Sequence, residues 1–297
     1  MSLQDQQLGL GDVIKARARP KAFALAAAMA GAVTGALAIV LLAGGGASAL
    51  GKSLTVALPP ATTDKIYASP IARGRPIVVL DPGHGGRDPG ARGVASAAAE
   101  KDLTLALARE LRDRLVTRGR VRVAMTRDGD RSLGLDDRSA VARRLNAAMF
   151  VSLHMDSAAN PLARGASVYS LSDIASDAEA AALAASLNAT AGTVKDNGSV
   201  EALLSDLVMR AQMSASANLA MRMVGRSTGR VALRPDPHRF AAFHVLRRAG
   251  APAVLFEAGY LSNIDDEALL RSPNYRTALV RALADAIEAD VAVRSAR

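Results

Sequence analysis

The chain of 297 residues contains no cysteine and no tryptophan, and aromatic residues make up 3% of it. Without cysteine it has no disulfide framework, no thiolate metal ligand and no cysteine nucleophile. Any transition-metal site must therefore use imidazole and carboxylate ligands, a donor set that suits zinc. Half of the residues are hydrophobic, so a substantial core is expected, built from aliphatic side chains.

The charge balance is strongly basic, with a formal net charge of +9. Such an excess raises the question of a nucleic-acid partner. Here the arginines are scattered among acidic residues along helical patterns, and the aromatic residues on which bases stack are almost missing. We therefore expect a solvated basic surface and no nucleic-acid binding, although an anionic polymer such as a cell wall would be attracted to it.

An apolar segment near the N-terminus predicts export. Residues 22–43 carry no charge and follow a basic segment, 1–21. At about 1.5 Å per residue they are long enough to cross a hydrocarbon layer of about 30 Å. The positive-inside tendency places 1–21 in the cytoplasm and the rest in the periplasm or cell envelope. We favour an uncleaved anchor in the inner membrane, with cleavage near Ala49 as the alternative, followed by a linker over 44–74.

The remainder of the chain, 75–297, predicts an α/β fold. Short apolar runs bounded by turn residues alternate with stretches of helical periodicity. The runs lie at 76–81, 121–126, 149–154, 166–171 and 252–257. This alternation predicts a single twisted, mostly parallel sheet with helices on both faces, and such sheets hold their ligands at the carboxyl ends of the strands.

Four residues with chemical potential lie at or near these strand ends. His84 occupies a glycine-rich turn, Glu100 opens a helical pattern, and His154 and Glu257 each end an apolar run. Taken singly, the first three also fit structural roles, as a turn residue, a partner of the helix dipole and a satisfied core histidine. Glu257 must be desolvated, so it is either paired or ready for proton transfer. Their convergence on one sheet edge predicts a zinc hydrolase site.

Four separated motifs, in order, resemble the zinc-dependent N-acetylmuramoyl-L-alanine amidases of bacterial cell walls. They are Asp81 to Gly93, Glu100-Lys101-Asp102, Ser152-Leu153-His154 and Glu257 to Asn263. The resemblance implies one zinc ion held by His84, Glu100 and His154, with Glu257 as the catalytic carboxylate. It also implies a peptidoglycan substrate, cleaved at the amide between N-acetylmuramic acid and L-alanine of the stem peptide, in cell separation or wall remodelling.

A helical stretch at about 172–235 exceeds what the shortest members of that family need. Related division amidases carry an insert here that covers the zinc until a partner protein removes it, which implies autoinhibition and a protein activator. A purely structural helical excursion is the alternative. Glu179 and Glu201 are the candidate blocking residues, and His238 is a candidate substrate contact because it lies close in sequence to the strand that carries Glu257.

Two other functions remain compatible with the sequence. One is a non-catalytic peptidoglycan-binding regulator that keeps the fold without turnover. The other is a zinc peptidase that cuts within the stem peptide, which would share the metal chemistry and differ in the bond cleaved.

Overall fold

The computed structural model describes residues 64–189 and 200–296, with side chains in the second range from residue 206 onward. The predicted segments 1–21 and 22–43 lie outside the described residues. Among the helices that are described, none is long and apolar enough to cross a membrane.

Seven strands in the described part of the chain form one mixed sheet in the order β1-β3-β2-β4-β7-β5-β6. Four of its six pairings are parallel, and the β1–β3 and β5–β7 pairings are antiparallel. All five predicted apolar runs form strands. The strands are β1 (Ile66–Tyr67), β2 (Ile77–Pro82), β3 (Arg122–Met125), β4 (Met149–Asp156), β5 (Ala166–Leu171), β6 (Leu233–Ala241) and β7 (Ala253–Tyr260).

Helices cover both faces of this sheet, as the α/β prediction requires. Consecutive residues of β2 enter opposite cores, with Val78 among one set of buried residues and Val79 among the other. Helices α1, α4, α6 and α7 contribute to the first core, and α2, α3 and α5 contribute to the second. Their bounds are α1 (Glu100–Arg118), α2 (Leu135–Arg144), α3 (Ala178–Asn188), α4 (Val200–Ser227), α5 (His244–Arg247), α6 (Ile264–Arg271) and α7 (Pro273–Ser295).

Two strands extend the sheet beyond the predicted pattern. β1 lies within the segment predicted as a linker, 44–74, and pairs with β3; two residues are too few to give a periodic signal. β6 begins inside the predicted insert, 172–235, and contains Pro235 and Pro237. Proline cannot donate to a strand ladder, so it is confined to positions such as an edge strand. β6 is the last strand in the sheet order, which explains how it accommodates both prolines.

The three central strands β2, β4 and β7 run parallel, so their carboxyl ends meet at one edge of the sheet. The turn that carries His84 follows β2, His154 lies near the end of β4, and Glu257 lies on β7 directly opposite His154 in the strand register. The N-terminus of α1 adds Glu100. The topology thus brings four residues together that the sequence separates by as many as 173 positions, the interval from His84 to Glu257.

Candidate metal centre and active site

The turn after β2 has an unusual backbone. His84 has a φ of +58°, and the next two residues, Gly85 and Gly86, have φ values of +123° and +62°. A left-handed conformation costs a residue with a side chain about 1–2 kcal/mol, so contacts elsewhere must hold His84 in place. Gly83 is required for a different reason, because a Cβ atom there would lie 2.3 Å from Cε1 of His154. The turn can therefore pack directly against β4.

Two imidazoles face a single carboxylate at this edge. The Nε2 atom of His84 lies 3.0 Å from Oε2 of Glu100, and Nδ1 of His154 lies 3.0 Å from Oε1 of the same carboxylate. The ring centroids of the two histidines are 4.9 Å apart, with the planes at 78°. One ligand atom from each of the three residues lies within 4.8 Å of the others, and the described part of the chain contains no other such group of three or more.

Neighbouring groups orient these three side chains. The backbone N–H groups of Ala91 and Met155 donate to the two oxygens of Glu100, at 2.9 and 3.0 Å. Nδ1 of His84 lies 2.7 Å from Oδ2 of Asp88, which leaves its Nε2 atom directed at Glu100. Such partners fix the tautomer and orientation of metal-binding side chains. Burial by itself would raise the pKa of Glu100, but its hydrogen bonds with His154 and His84 outweigh burial and lower that pKa well below its ordinary value.

Glu257 is buried beside this group without a partner for one of its oxygens. It is 1% exposed, and its Oε2 atom has no hydrogen-bond partner among the described residues. Burial raises the pKa of Glu257 well above its ordinary value, and the charges of Asp156 and Glu100 add to that effect. A carboxyl group that binds a proton more readily than usual is suited to general acid–base chemistry. The Oε2 atom is thus the one that faces no donor among the described residues.

His84, Glu100, His154 and Glu257 all line one cavity of about 670 Å³. Helix α3 supplies a further part of its lining, with side chains that are mostly small or apolar. These are Glu179, Ala182, Leu183, Ser186, Leu187 and Asn188. A helix from the segment predicted as an insert therefore borders the same space as the candidate metal ligands.

Of the two candidate blocking residues, the structure describes the side chain of Glu179. Glu179 lines the cavity, but its carboxylate is bound by Arg234, with both oxygens 3.1 Å from guanidinium nitrogens, and it accepts a hydrogen bond of 2.7 Å from the hydroxyl of Tyr260. It is not part of the three-residue ligand group. The side chain of Glu201, in α4, lies outside the described residues.

The predicted substrate contact His238 lies on β6, away from the cavity lining. Its Nε2 atom is 2.9 Å from Oγ of Ser170, and its ring centroid is 4.5 Å from that of Phe240. Burial lowers the pKa of His238. The imidazole therefore packs against neighbouring side chains of β5 and β6.

Asp156 is a cavity residue that the sequence interpretation did not single out. It is 7% exposed, its Oδ2 atom has no partner among the described residues, and burial raises its pKa to about 6. A signal for it was present, because side chains two positions apart on a strand point to the same face, and Asp156 follows His154 by two. Arg234 and Tyr260 had no such signal, since only the folded chain brings them to Glu179.

A three-residue imidazole and carboxylate group, next to a buried carboxylate with an unpartnered oxygen at the carboxyl edge of an α/β sheet, defines a candidate metallohydrolase. The sequence model of the N-acetylmuramoyl-L-alanine amidase family matches residues 78–289, and the chain belongs to this family.

Individual relatives agree with this assignment. The chain is 35% identical over 221 residues to the N-acetylmuramoyl-L-alanine amidase AmiA of Escherichia coli K12, covering 72% of this chain and 75% of AmiA. It is 34% identical over 222 residues to AmiC of Neisseria meningitidis serogroup B, and there it spans about half of the relative, 52%. The catalytic domain of the amidase CwlV from Bacillus (Paenibacillus) polymyxa superimposes with a TM-score of 0.52 at 27% identity, over 71% of this chain and 96% of that domain.

Proposed function

We propose that this chain is a zinc-dependent hydrolase that cleaves the amide bond between N-acetylmuramic acid and L-alanine in peptidoglycan, in cell separation or wall remodelling. The observation that carries the proposal is the position of Glu257, in register with His154 and in the same cavity as His84 and Glu100. Membership of the amidase family supports the choice of bond.

The chemistry of the three proposed ligands fits a catalytic zinc site. Catalytic zinc is held by three protein ligands, two histidines and a glutamate being one known set, and a fourth position stays open. His84 would bind through Nε2, because its Nδ1 atom is engaged by Asp88, and His154 would bind through the Nδ1 atom that faces Glu100. The chain has no cysteine that could compete for the ion.

The roles proposed for the metal and for Glu257 follow from the surroundings of each. Zinc held by His84, Glu100 and His154 would supply a Lewis acid for the amide carbonyl and would lower the pKa of water. Glu257 would accept the proton of the attacking water at its unpartnered Oε2 atom and pass it to the alanine nitrogen as the C–N bond breaks.

Digestion of purified peptidoglycan by the full chain tests the reaction. We expect peptides with a free N-terminal L-alanine, identified by mass spectrometry, and we expect a chelator to abolish their release. Cleavage inside the stem peptide would instead indicate a peptidase, and binding without release a regulator. Glu257→Gln should retain zinc and lose about 10²–10⁴-fold in turnover, because general acid–base catalysis contributes that much. His238→Gln is the matched control and should keep wild-type turnover, since His238 does not line the cavity.

We further infer that α3 restricts access to the site. Support comes from its place in the cavity lining and from the contacts that hold its first turn. Asp177 caps the helix by accepting a hydrogen bond of 2.9 Å from the N–H of Ala180, and Glu179 binds Arg234 and Tyr260. In this arrangement Glu179 acts as an anchor for the helix rather than as a metal ligand.

Loosening that anchor tests the restriction. Glu179→Gln removes the charge that pairs with Arg234 and should raise basal peptide release several-fold, because α3 would leave the cavity more often. Asp206→Asn is the control, since it removes an exposed ion pair with Arg210 on α4. A rate in Glu179→Gln equal to that of wild type would argue against restriction by α3. A protein activator, in this proposal, displaces the same helix.

The location of the enzyme is proposed from the sequence of its N-terminal part. Residues 22–43 would anchor the chain in the inner membrane with the catalytic region outside the cytoplasm. Cleavage near Ala49 would release it instead. Fractionation and the N-terminal sequence of the mature protein distinguish the two, because only the anchored form keeps residues 1–49 and stays with the membrane after alkaline washing.

A further inference from the structure

The turn that carries His84 is held largely by side chains. Five consecutive carbonyl groups, those of Pro82 to Gly86, each accept a side-chain hydrogen bond. The donors are Arg138 (2.7 Å) and Arg127 (3.0 Å) to Pro82, Arg127 (2.7 Å) and Thr104 (3.1 Å) to Gly83, Arg138 (2.6 Å) to His84, Ser132 (3.0 Å) to Gly85 and Lys101 (2.9 Å) to Gly86. Regular ladders hold strand β2, and these side-chain donors hold the turn at its end.

Arg138, on α2, is the donor that reaches His84 itself. Its Nη2 atom donates to the carbonyl of His84, while Nη1 donates to the carbonyl of Pro82 and to Oδ1 of Asp81 at 2.8 Å. Its Nε atom donates to the carbonyl of Leu133 at 3.3 Å. One planar guanidinium thus connects the end of β2 to the residue with the strained backbone.

Arg138 and Asp81 form a buried ion pair. The side chains of Arg138 and Asp81 are 6% and 1% exposed, and an ion pair so buried adds stability only when further hydrogen bonds compensate its desolvation. Asp81 has these bonds, from the hydroxyl groups of Thr126 at 2.6 Å and Ser152 at 2.9 Å. The hydroxyl groups therefore hold Asp81, Asp81 holds Nη1 of Arg138, and Nη2 of Arg138 holds the carbonyl of His84.

The position of that backbone decides where the imidazole lies. His84 has a φ of +58°, a conformation that its own side chain disfavours. If the carbonyl of His84 were released, the residue could relax toward negative φ and carry Nε2 away from Glu100. We propose that Arg138 is a positioning residue, which holds His84 in the conformation that binds the metal. This inference rests on the metal centre proposed above.

Arg138→Lys is the direct test. Lysine keeps the positive charge for Asp81, but one ammonium group cannot reproduce a fork that spans Asp81, Pro82 and His84. We expect the zinc affinity of the full chain, measured by competition with a chromophoric chelator, to fall about 10–100-fold, as for other groups that orient metal ligands. Arg118→Lys is the matched control, because Arg118 pairs with Asp285 and Glu288 away from the cavity, and it should bind zinc as wild type does.

Thermal unfolding with zinc and with chelator separates positioning from general stabilisation. A merely structural role lowers the Tm of Arg138→Lys equally in both conditions. A positioning role also shrinks the increase in Tm that zinc produces, because that increase depends on the dissociation constant. Wild-type zinc affinity in a folded Arg138→Lys protein overturns the inference.

A second variant decides the matter if Arg138→Lys does not fold. Asp81→Asn keeps the shape of the side chain and removes the charge that orients the guanidinium, so we expect weaker zinc binding than in wild type. Unchanged affinity in Asp81→Asn would then overturn the inference. Failure of the wild-type chain to bind zinc at all is a distinct result, since it removes the proposed function itself.

Discussion

Gly83→Ala is the substitution that most directly probes the packing of the site. The φ of Gly83 is not in the left-handed region, so its backbone accepts alanine without strain. Its N–H donates to the carbonyl of Leu153 at 2.9 Å, which ties the turn to β4. The one obstacle is the added Cβ atom, which would lie 2.3 Å from Cε1, 2.5 Å from Nε2 and 2.6 Å from Nδ1 of His154.

The size of the effect follows from those distances. Non-bonded carbon atoms settle at about 3.5–4.0 Å, so the ring of His154 and the turn must separate by roughly 1 Å. Metal-ligand distances tolerate about 0.2 Å, so His154 would no longer serve as a ligand. We expect zinc affinity to fall by at least about 100-fold, and turnover by about 100-fold, the usual consequence of a 1 Å misplacement. Overpacking should also cost about 1–3 kcal/mol of stability.

The assay combines chelator competition, release of peptides from peptidoglycan, and urea unfolding. Gly225→Ala is the control, because among the described residues nothing beyond its chain neighbours and its own helix backbone lies within 4 Å of the added Cβ atom. Gly225 lies inside α4, so the control should be stabilised by about 0.5–1 kcal/mol and keep wild-type activity. If Gly83→Ala kept both its zinc affinity and its turnover, the turn and β4 could not be packed as closely as described, and the reasoning would be refuted.

Three other outcomes are expected. In metal-free protein, Glu257→Gln should be more stable than wild type, and the difference in the free energy of unfolding should grow above about pH 4.5 by up to about 1.4 kcal/mol per pH unit. The reason is that the unfolded wild-type chain releases a proton that buried Glu257 retains in the folded state. Urea-derived stability curves of the two proteins that run parallel from about pH 5 to 8 would contradict this. Glu100→Gln should reduce zinc affinity at least as much as Arg138→Lys does, and wild-type affinity in a chelator competition would exclude Glu100 as a ligand. The side chain of Asn263 caps α6 by accepting hydrogen bonds of 3.1 Å from the N–H groups of Asp265 and Asp266. Asn263→Ala removes this cap and should lower the free energy of unfolding by about 1 kcal/mol, so an unchanged Tm would contradict the prediction.

The central strands could be predicted from the sequence because strands covered on both faces form continuous apolar runs. β2 is buried along its whole length, as are β4 and β7. The edge strand β6 escaped prediction, since only Arg239 and Ala241 of its residues are buried and its prolines suggest a loop. What makes it a strand is its parallel pairing with β5, a contact between segments more than 60 residues apart.

Two of the candidate ligands and the candidate catalytic carboxylate were predictable for a related reason. His84, His154 and Glu257 each follow or end an apolar run, and parallel strands bring such ends together. The groups that support them were not predictable in this way. The residues around Arg138 and Arg234 in the sequence do not distinguish them from the many arginines on solvated surfaces. Nothing in the sequence indicates which carbonyl or carboxylate group each guanidinium will contact. Their roles depend on long-range contacts, with Asp81 and Glu179 respectively.

The parts of the site differ in how rigidly the fold holds them. His154 and Glu257 lie on adjacent strands in direct register, so the hydrogen bonds of the ladder set their separation at one strand spacing, about 4.8 Å. His84 depends instead on side-chain donors to its turn, and α3 depends on the contacts of its first turn. The proposals made above therefore place two routes of regulation outside the sheet, one through the His84 turn and one through α3. Variation of Arg138 and of Glu179 separates these two routes, because the first should change zinc affinity and the second should change substrate access with zinc affinity unchanged.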